Sequence, residues 1–462
     1  MSVTGILLLG GFIVFAALMV ARILPTLLAL PLMAAWIAWV AGLPFLTWAN
    51  EVLLGGALRL SSAIALVVFG AMFARVIQKT GISAAIIKKA AEMAGDRPIA
   101  IAFLMLAATA FVFTGMSGLG AVLMVGSIVL PIMTSTGISP LDAAVILLMG
   151  INLGLMANIA SYGTYIGIFG SEPALYYYFP GVAIAALAAI IYILRNIPRG
   201  TGEGGSLLNL LFSIVKGIAT IPLSIVQSMG KLFGSRQNSL VRKKRELAPA
   251  ALIAPVLPLI FIGCAGMVFG LGSPKNGAID PVAAAILGFL LSALYAALTT
   301  RPGQTINLLA GAFVEGIQDV AGVLFLFIGI GMLVTATAHP LAAPVLNPVL
   351  TSILPESLTG LLIIFALFAP AALYRGPFNM YGMGAGIAAI LVGFGTFPPE
   401  ALCGMFLAVG FVQAVADPTN SHNTWIGGFT EVDTAVILRR ILPYSWGMCI
   451  LMLLCVAFTH CV

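Results

Sequence analysis

The sequence predicts an all-α polytopic membrane protein built as two inverted-topology repeats, and three features predict it. The chain of 462 residues is 61% hydrophobic and only 8% charged, where soluble domains carry about 25% charged residues. Two Gly- and Pro-broken regions resemble each other across the chain. A basic linker separates the two halves.

Apolar spans fall at about 4–21, 24–44, 61–78, 176–194, 250–271, 281–299, 320–338 and 442–460, each long enough or nearly so to cross a bilayer core. The first has no basic stretch before it and many spans after it, so it reads as a membrane span rather than a cleaved leader. The basic linker, about 195–249, ends in SRQNSLVRKKREL. Its apolar stretch LLNLLFSIVKGIATIPLSIVQSMGKLF reads as an interfacial helix, because a further crossing would turn Arg301, Arg439 and Arg440 outward.

The interrupted regions are about 97–169 and 356–429. TYIGIF (Thr164–Phe169) matches TWIGGF (Thr424–Phe429), and Gly115 pairs with Gly376. Broken segments in corresponding positions of two halves point to a transport site. Each region is read as a re-entrant hairpin (about 97–137 and 356–396) followed by one broken span (about 140–169 and 400–429). The N-terminal repeat is then 1–194 and the C-terminal repeat 250–462, each with five crossings, one of them the broken helix. Five is odd, so the halves are inverted. With the linker inside, all of the 21 Lys and Arg residues except Arg59, Lys275 and Arg375 are cytoplasmic, as the positive-inside rule requires. Both termini are expected outside.

A helix break at mid-bilayer must line a cavity or be buried in protein. The expected breaks are the hairpin tips Thr114–Gly118 and Tyr374–Asn379 and the stretches Asn158–Thr164 and Asp417–Thr424. Helix N-termini that restart there offer N–H donors to an anion. Unwound carbonyls and hydroxyls suit a cation such as Na⁺. The substrate candidates are Thr114, Gly115, Ser117, Asn158, Ser161, Arg375, Gly376, Asn379, Thr419 and Asn420. Arg375 is singled out because an arginine at mid-depth is costly and its guanidinium grips a carboxylate with two bonds; the competing readings are an internal pair with Asp417 and a side chain that snorkels outward at the hairpin's entrance. Asp417, Ser421, His422, Asn423, Thr424 and Thr164 are candidates for the coupling ion, Na⁺ at either break or a proton. His422 can equally be a neutral imidazole satisfying backbone groups.

Other residues read more plainly. Asp142 and Glu400 are acids in a first helical turn, and Glu315 and Asp319 stand at the interface before a span. The five cysteines show no CxxC spacing and read as small apolar residues. Three histidines give no metal cluster, and no cofactor is expected. The net charge of +6 reports membrane orientation and not a nucleic-acid partner. No GxSxG or paired catalytic carboxylates point to an intramembrane enzyme.

At these residues the chain resembles the ion transporter superfamily, which includes the divalent anion–sodium symporters, the citrate, gluconate and lactate permeases and the membrane subunit of TRAP transporters. The Ser-Asn-Thr signature of the symporters' hairpin tips is replaced by Thr114-Gly115-Met116-Ser117 and Arg375-Gly376-Pro377-Phe378. Only His422-Asn423-Thr424 echoes it, so the resemblance stops at the superfamily. It implies cation-coupled symport of a small organic anion or carboxylate, a homodimer in the inner membrane, and a transport domain moving against a scaffold as an elevator. A cation/proton antiporter, an anion exporter or a TRAP-like subunit that needs a binding protein would use the same architecture.

Overall fold

The computed structural model describes residues 3–21, 23–94, 97–197, 247, 249–272, 277–346 and 355–461. The expected interfacial helix of the linker lies outside them. Among the described residues the protein is all-α, with a single isolated β-bridge between Leu271 and Ile279. Nine helices are at least 18 residues long and apolar enough to cross a membrane. Together they make an all-α polytopic membrane protein.

Two helices run past the apolar windows seen in the sequence. The segment read as 61–78 is the end of one helical run, Phe45–Thr80, with a π turn at Trp48–Gly55 and a turn at Leu60. The segment read as 320–338 is the end of Thr305–Ala338, which at 1.5 Å per residue is about 50 Å long. Hydropathy missed both extensions because Asn50, Glu51, Asn307, Glu315 and Asp319 interrupt the apolar run. None of these residues breaks a helix, and Glu315 and Asp319 pair with Lys79 and Arg75 on the neighbouring helix.

These two long helices cross with almost no side-chain space between them. A Cβ on Gly331 would stand 2.2 Å from the Gly56 carbonyl oxygen, and one on Gly316 would stand 2.7 Å from the Met72 nitrogen. Backbone contact of this kind is how membrane helices associate closely without a hydrophobic driving force. Helices Thr26–Val40, Pro281–Thr300 and Leu257–Phe269 join this group. The last is preceded by a 3₁₀ turn, Pro249–Val256, where Pro255 and Pro258 remove helical N–H donors.

The second group holds two helical hairpins. One consists of Pro98–Phe113 and Leu119–Ser135. The other consists of Leu358–Phe368, continued as the 3₁₀ turn Ala369–Arg375, and Gly384–Phe394. Each is followed by an 18-residue helix opening on proline, Pro140–Ala157 and Pro399–Ala416, where proline's fixed φ and absent donor suit the first position. Each chain then breaks and restarts, as Gly163–Phe169 and Ser421–Thr430. The restarts pack crosswise. Ser421–Thr430 touches the second arm of the first hairpin, and Gly163–Phe169 touches the second arm of the second.

Burial separates the groups. The windows of Pro399–Thr430 and Pro140–Ala157 are 83% and 67% buried, against 17% for Pro249–Phe269. The broken helices are therefore the centre of the molecule, and the outer helices present apolar side chains to lipid.

Candidate functional site

The break after Ala416 leaves the last carbonyls of an apolar helix without helical partners, and no water reaches them from a bilayer core. Three side chains of the next segment take them in order. Asn420 Nδ2 donates to the Gln413 carbonyl at 2.7 Å, His422 Nε2 to Ala414 at 2.8 Å, and Asn423 Nδ2 to Val415 at 2.8 Å. A carbonyl only accepts, so His422 carries its hydrogen on Nε2. The density of polar residues in DPTNSHNT is thus first a cap for the preceding half-helix. Thr424 Oγ1 closes the turn on the carbonyls of Asn420 and Pro418.

Asp417, fully buried, ties this break to the second hairpin. Its Oδ1 accepts from the Thr419 N–H at 2.9 Å and the Thr419 hydroxyl at 2.7 Å. Its Oδ2 accepts from the Arg375 N–H and from Asn379 Nδ2, both at 3.2 Å. A carboxylate has about four lone-pair sites, and four donors occupy them. The hairpin tip is held further by Asn379 Nδ2 on the Ala372 carbonyl and by Gln413 Oε1, which accepts from the Met380 N–H at 2.6 Å.

At this tip Tyr374 and Arg375 adopt φ of 55° and 57°, the left-handed region that costs non-glycine residues roughly 1–2 kcal/mol each. The Arg375 side chain is exposed and donates from Nη1 to the Tyr381 carbonyl at 3.3 Å. Its guanidinium makes no ion pair with Asp417. Only its backbone meets the carboxylate.

The first half closes its break with the opposite polarity. Asn158, the first residue past Ala157 as Asp417 is the first past Ala416, donates from Nδ2 to the carbonyls of Phe113 and Met116 at 3.1 and 3.2 Å. Its Oδ1 accepts from the Ala160 N–H at 2.9 Å. The Tyr178 hydroxyl caps the Ala157 carbonyl at 2.7 Å. An amide gripping carbonyls here stands where a carboxylate gripping N–H groups stands in the other half.

Between the breaks, the first hairpin's tip and the two long helices lies a cavity of about 310 Å³. Among the sequence-predicted residues, Ser117, Ser161, Thr164, Asn420 and His422 line it. Asn158, Asp417, Thr419, Asn379 and Asn423 stand behind this wall and hold the breaks and the second tip in place. Thr114, Gly115, Arg375, Gly376, Ser421 and Thr424 are not among its lining residues. The Thr114 hydroxyl bonds to the carbonyls of Phe111 and Pro255, and Gly115 packs under Phe73 and Pro255.

Sequence reasoning missed several lining residues. Tyr381 keeps 40% of its surface and lines the cavity together with Thr164, so the second hairpin and the first break share this wall. Asn152 is 1% exposed, lines the cavity, and its Oδ1 has no hydrogen-bond partner. Gln413 lines it from the other broken helix. A lone amide inside each greasy 18-residue helix was the available signal. Asp319 also lines the cavity, bound through both oxygens to Arg75 at 2.5 and 2.6 Å. One turn away Lys79 pairs with Glu315 at 2.6 Å. Both acids, read as interfacial, are rungs between the two long helices.

No family model and no curated protein matches this sequence. Solved structures do. The YdaH transporter of Alcanivorax borkumensis, described as having an unusual topology, superposes with a TM-score of 0.63 at 12% identity, covering 97% of this chain and 98% of that one. MtrF of Neisseria gonorrhoeae, described as illuminating a class of antimetabolite efflux pumps, superposes with a TM-score of 0.55 at 15% identity over 89% of this chain and 82% of that one. At such identities the likeness is one of fold, and it extends over nearly the whole chain.

Proposed function

We propose that the protein is a secondary transporter of a small organic anion, driven by Na⁺ or H⁺, and that the cavity between the two helix breaks is its substrate site. The observation that carries this is the cavity itself. It lies at the centre of an apolar helical protein and its wall is mostly apolar, yet hydroxyl, amide and imidazole groups of both broken helices face it. Polar groups turned into a cavity inside a membrane protein are costly unless something polar occupies or crosses it. The whole-chain fold likeness to two transporters supports the same reading.

In this reading Ser117, Ser161, Thr164, Asn420, His422 and Tyr381 contact the substrate. Asn158, Asp417 and Asn379 position the breaks and the second hairpin around it. The two packing groups support a scaffold and a transport domain that move as an elevator, with the chain an inverted-repeat member of the ion transporter superfamily. The protein would sit in the inner membrane as a homodimer, linker inside and termini outside.

Export in place of import is the second reading, favoured by the likeness to a protein described with efflux pumps. Purified protein should be screened for thermal stabilisation by small carboxylates in Na⁺ and in K⁺, since a ligand of the native state raises the melting temperature. Stabilising acids are then tested for uptake and exit in proteoliposomes. Stabilisation by no acid in either salt would remove the carboxylate reading, and exit without uptake would make the protein an exporter.

A further inference from the structure

Arg375, the arginine that the sequence offered as anion anchor, has its side chain away from the cavity, which leaves open what neutralises an anion inside. Among the described residues lining the cavity, Asp319 is the one carboxylate and His422 the one basic side chain. His422 Nε2 is committed to the Ala414 carbonyl. Asp319 is paired with Arg75, whose Nε and Nη2 form a two-pronged bond to its two oxygens. Arg75 Nη1 is held by Gln78 Oε1 at 3.0 Å and lies 3.8 Å from where a Cβ on Gly120 would stand, in the first turn of Leu119–Ser135. The guanidinium is thus at the seam between the long helices and the first hairpin, whose Ser117 and Gly118 line the cavity.

We infer that Arg75 and Asp319 form an exchangeable ion pair that couples the anion to a proton: the substrate carboxylate takes Asp319's place on the Arg75 fork, and Asp319 takes up one proton. This rests on the carboxylate reading above. The balance of charge is the argument. Empty, the site holds one guanidinium and one carboxylate and is neutral. With a monoanion added and no proton it would hold a net negative charge beside apolar helices, a charge whose cost grows as the bound anion displaces water from the pair. A proton on Asp319 restores neutrality, and the planar fork that now grips Asp319 has the geometry to grip another carboxylate. The side chains of Arg75 and Asp319 keep 27% and 41% of their surface, so the pair is open enough for exchange.

The neighbouring charges define the controls. Lys79 and Glu315, one turn along the same helices, face the pair and are bound to each other. They hold the helix crossing while the upper rung opens. His422, Tyr162, Tyr165 and Tyr381 are the other titratable side chains around the cavity.

The test is equilibrium binding of radiolabelled acetate, benzoate and citrate to the purified full chain between about pH 6 and 8, where the slope of log Kd against pH counts protons taken up. For benzoate, a monoanion throughout, the wild type should weaken about tenfold per pH unit. Asp319→Asn should bind with a flat pH profile, and Arg75→Gln should weaken binding at least about tenfold at the lowest pH. Glu315→Gln should keep the wild-type slope. A flat wild-type profile overturns the inference without reference to any variant. An unchanged slope in Asp319→Asn overturns it while leaving the carboxylate reading intact. A wild type that binds none of the three acids removes that reading and this inference with it.

Discussion

Asp417 accepts a hydrogen bond from the backbone N–H of Arg375, while the Arg375 guanidinium points elsewhere and rests on the Tyr381 carbonyl. The buried carboxyl group is therefore held by N–H and O–H donors and not by the Arg375 guanidinium. Its first role is to join the second hairpin's tip to the second helix break.

That arrangement separates the two residues experimentally. Asp417→Ala strips the Arg375 and Thr419 N–H groups of their acceptor inside the protein and should cost about 3 kcal/mol, since a buried donor left unpaired carries most of its desolvation penalty. Arg375→Ala removes one bond from an exposed side chain and should change stability by no more than about 0.5 kcal/mol. Unfolding in detergent, followed by tryptophan fluorescence, measures both. Equal losses in the two variants would show that the guanidinium, not the backbone, is Asp417's partner. Abolished transport in a stable Arg375→Ala would return Arg375 to the role of anchor.

Arg375 is also strained. Arg375→Gly should relieve part of the left-handed penalty and stabilise the protein by up to about 1 kcal/mol. A destabilised Arg375→Gly would mean that the Tyr381 contact outweighs the backbone cost.

His422 should behave as a cap. His422→Ala leaves the Ala414 carbonyl without a donor and should cost about 1–3 kcal/mol, while His422→Gln, which can still donate, should recover at least half of the loss. Failure of glutamine to rescue stability, together with lost transport, would point to the imidazole's proton chemistry instead.

Where Asp142 begins the first broken helix, it accepts from the Tyr192 hydroxyl at 2.6 Å and from Arg440 Nη2 at 3.0 Å, while Ser139 Oγ donates to its other oxygen at 2.7 Å. Its side chain is 14% exposed. Arg440→Ala should therefore cost about 2 kcal/mol, more than an exposed pair and less than a fully buried one. A change below about 0.5 kcal/mol would place Arg440 with ordinary surface charges.

Much of this was legible before the structure. Hydropathy located most of the spans because a bilayer demands long apolar helices, but the stretch read as 24–44 is the 15-residue helix Thr26–Val40, and Leu358–Arg375, read as a hairpin arm, is itself long and apolar enough to cross. Gly, Pro and small polar residues pointed to the stretches after Ala157 and Ala416, where the helices end, because such residues favour helix ends and turns. Individual roles were harder to read. Asp417 and His422 looked like ion ligands because sequence shows donors and acceptors without their partners. Here those partners are backbone and side-chain groups of a neighbouring turn and of a hairpin 38 to 42 residues away. Asp142 looked like an ordinary helix-start acid because Arg440 is 298 residues distant. Asp319 looked like a span end, and Arg75 was not singled out, because the glycine crossing that makes them neighbours depends on two helices meeting at Gly56 and Gly331.

The central claim is that substrate occupies the cavity between the breaks, and filling that cavity tests it most directly. Ser161 lines it from the first break, and Ser161→Trp places an indole in the space. In proteoliposomes the account expects transport of a carboxylate that stabilises the wild type to fall at least about tenfold, with the variant's melting temperature within about 5 °C of wild type. Transport at the wild-type rate by a folded Ser161→Trp protein would contradict it.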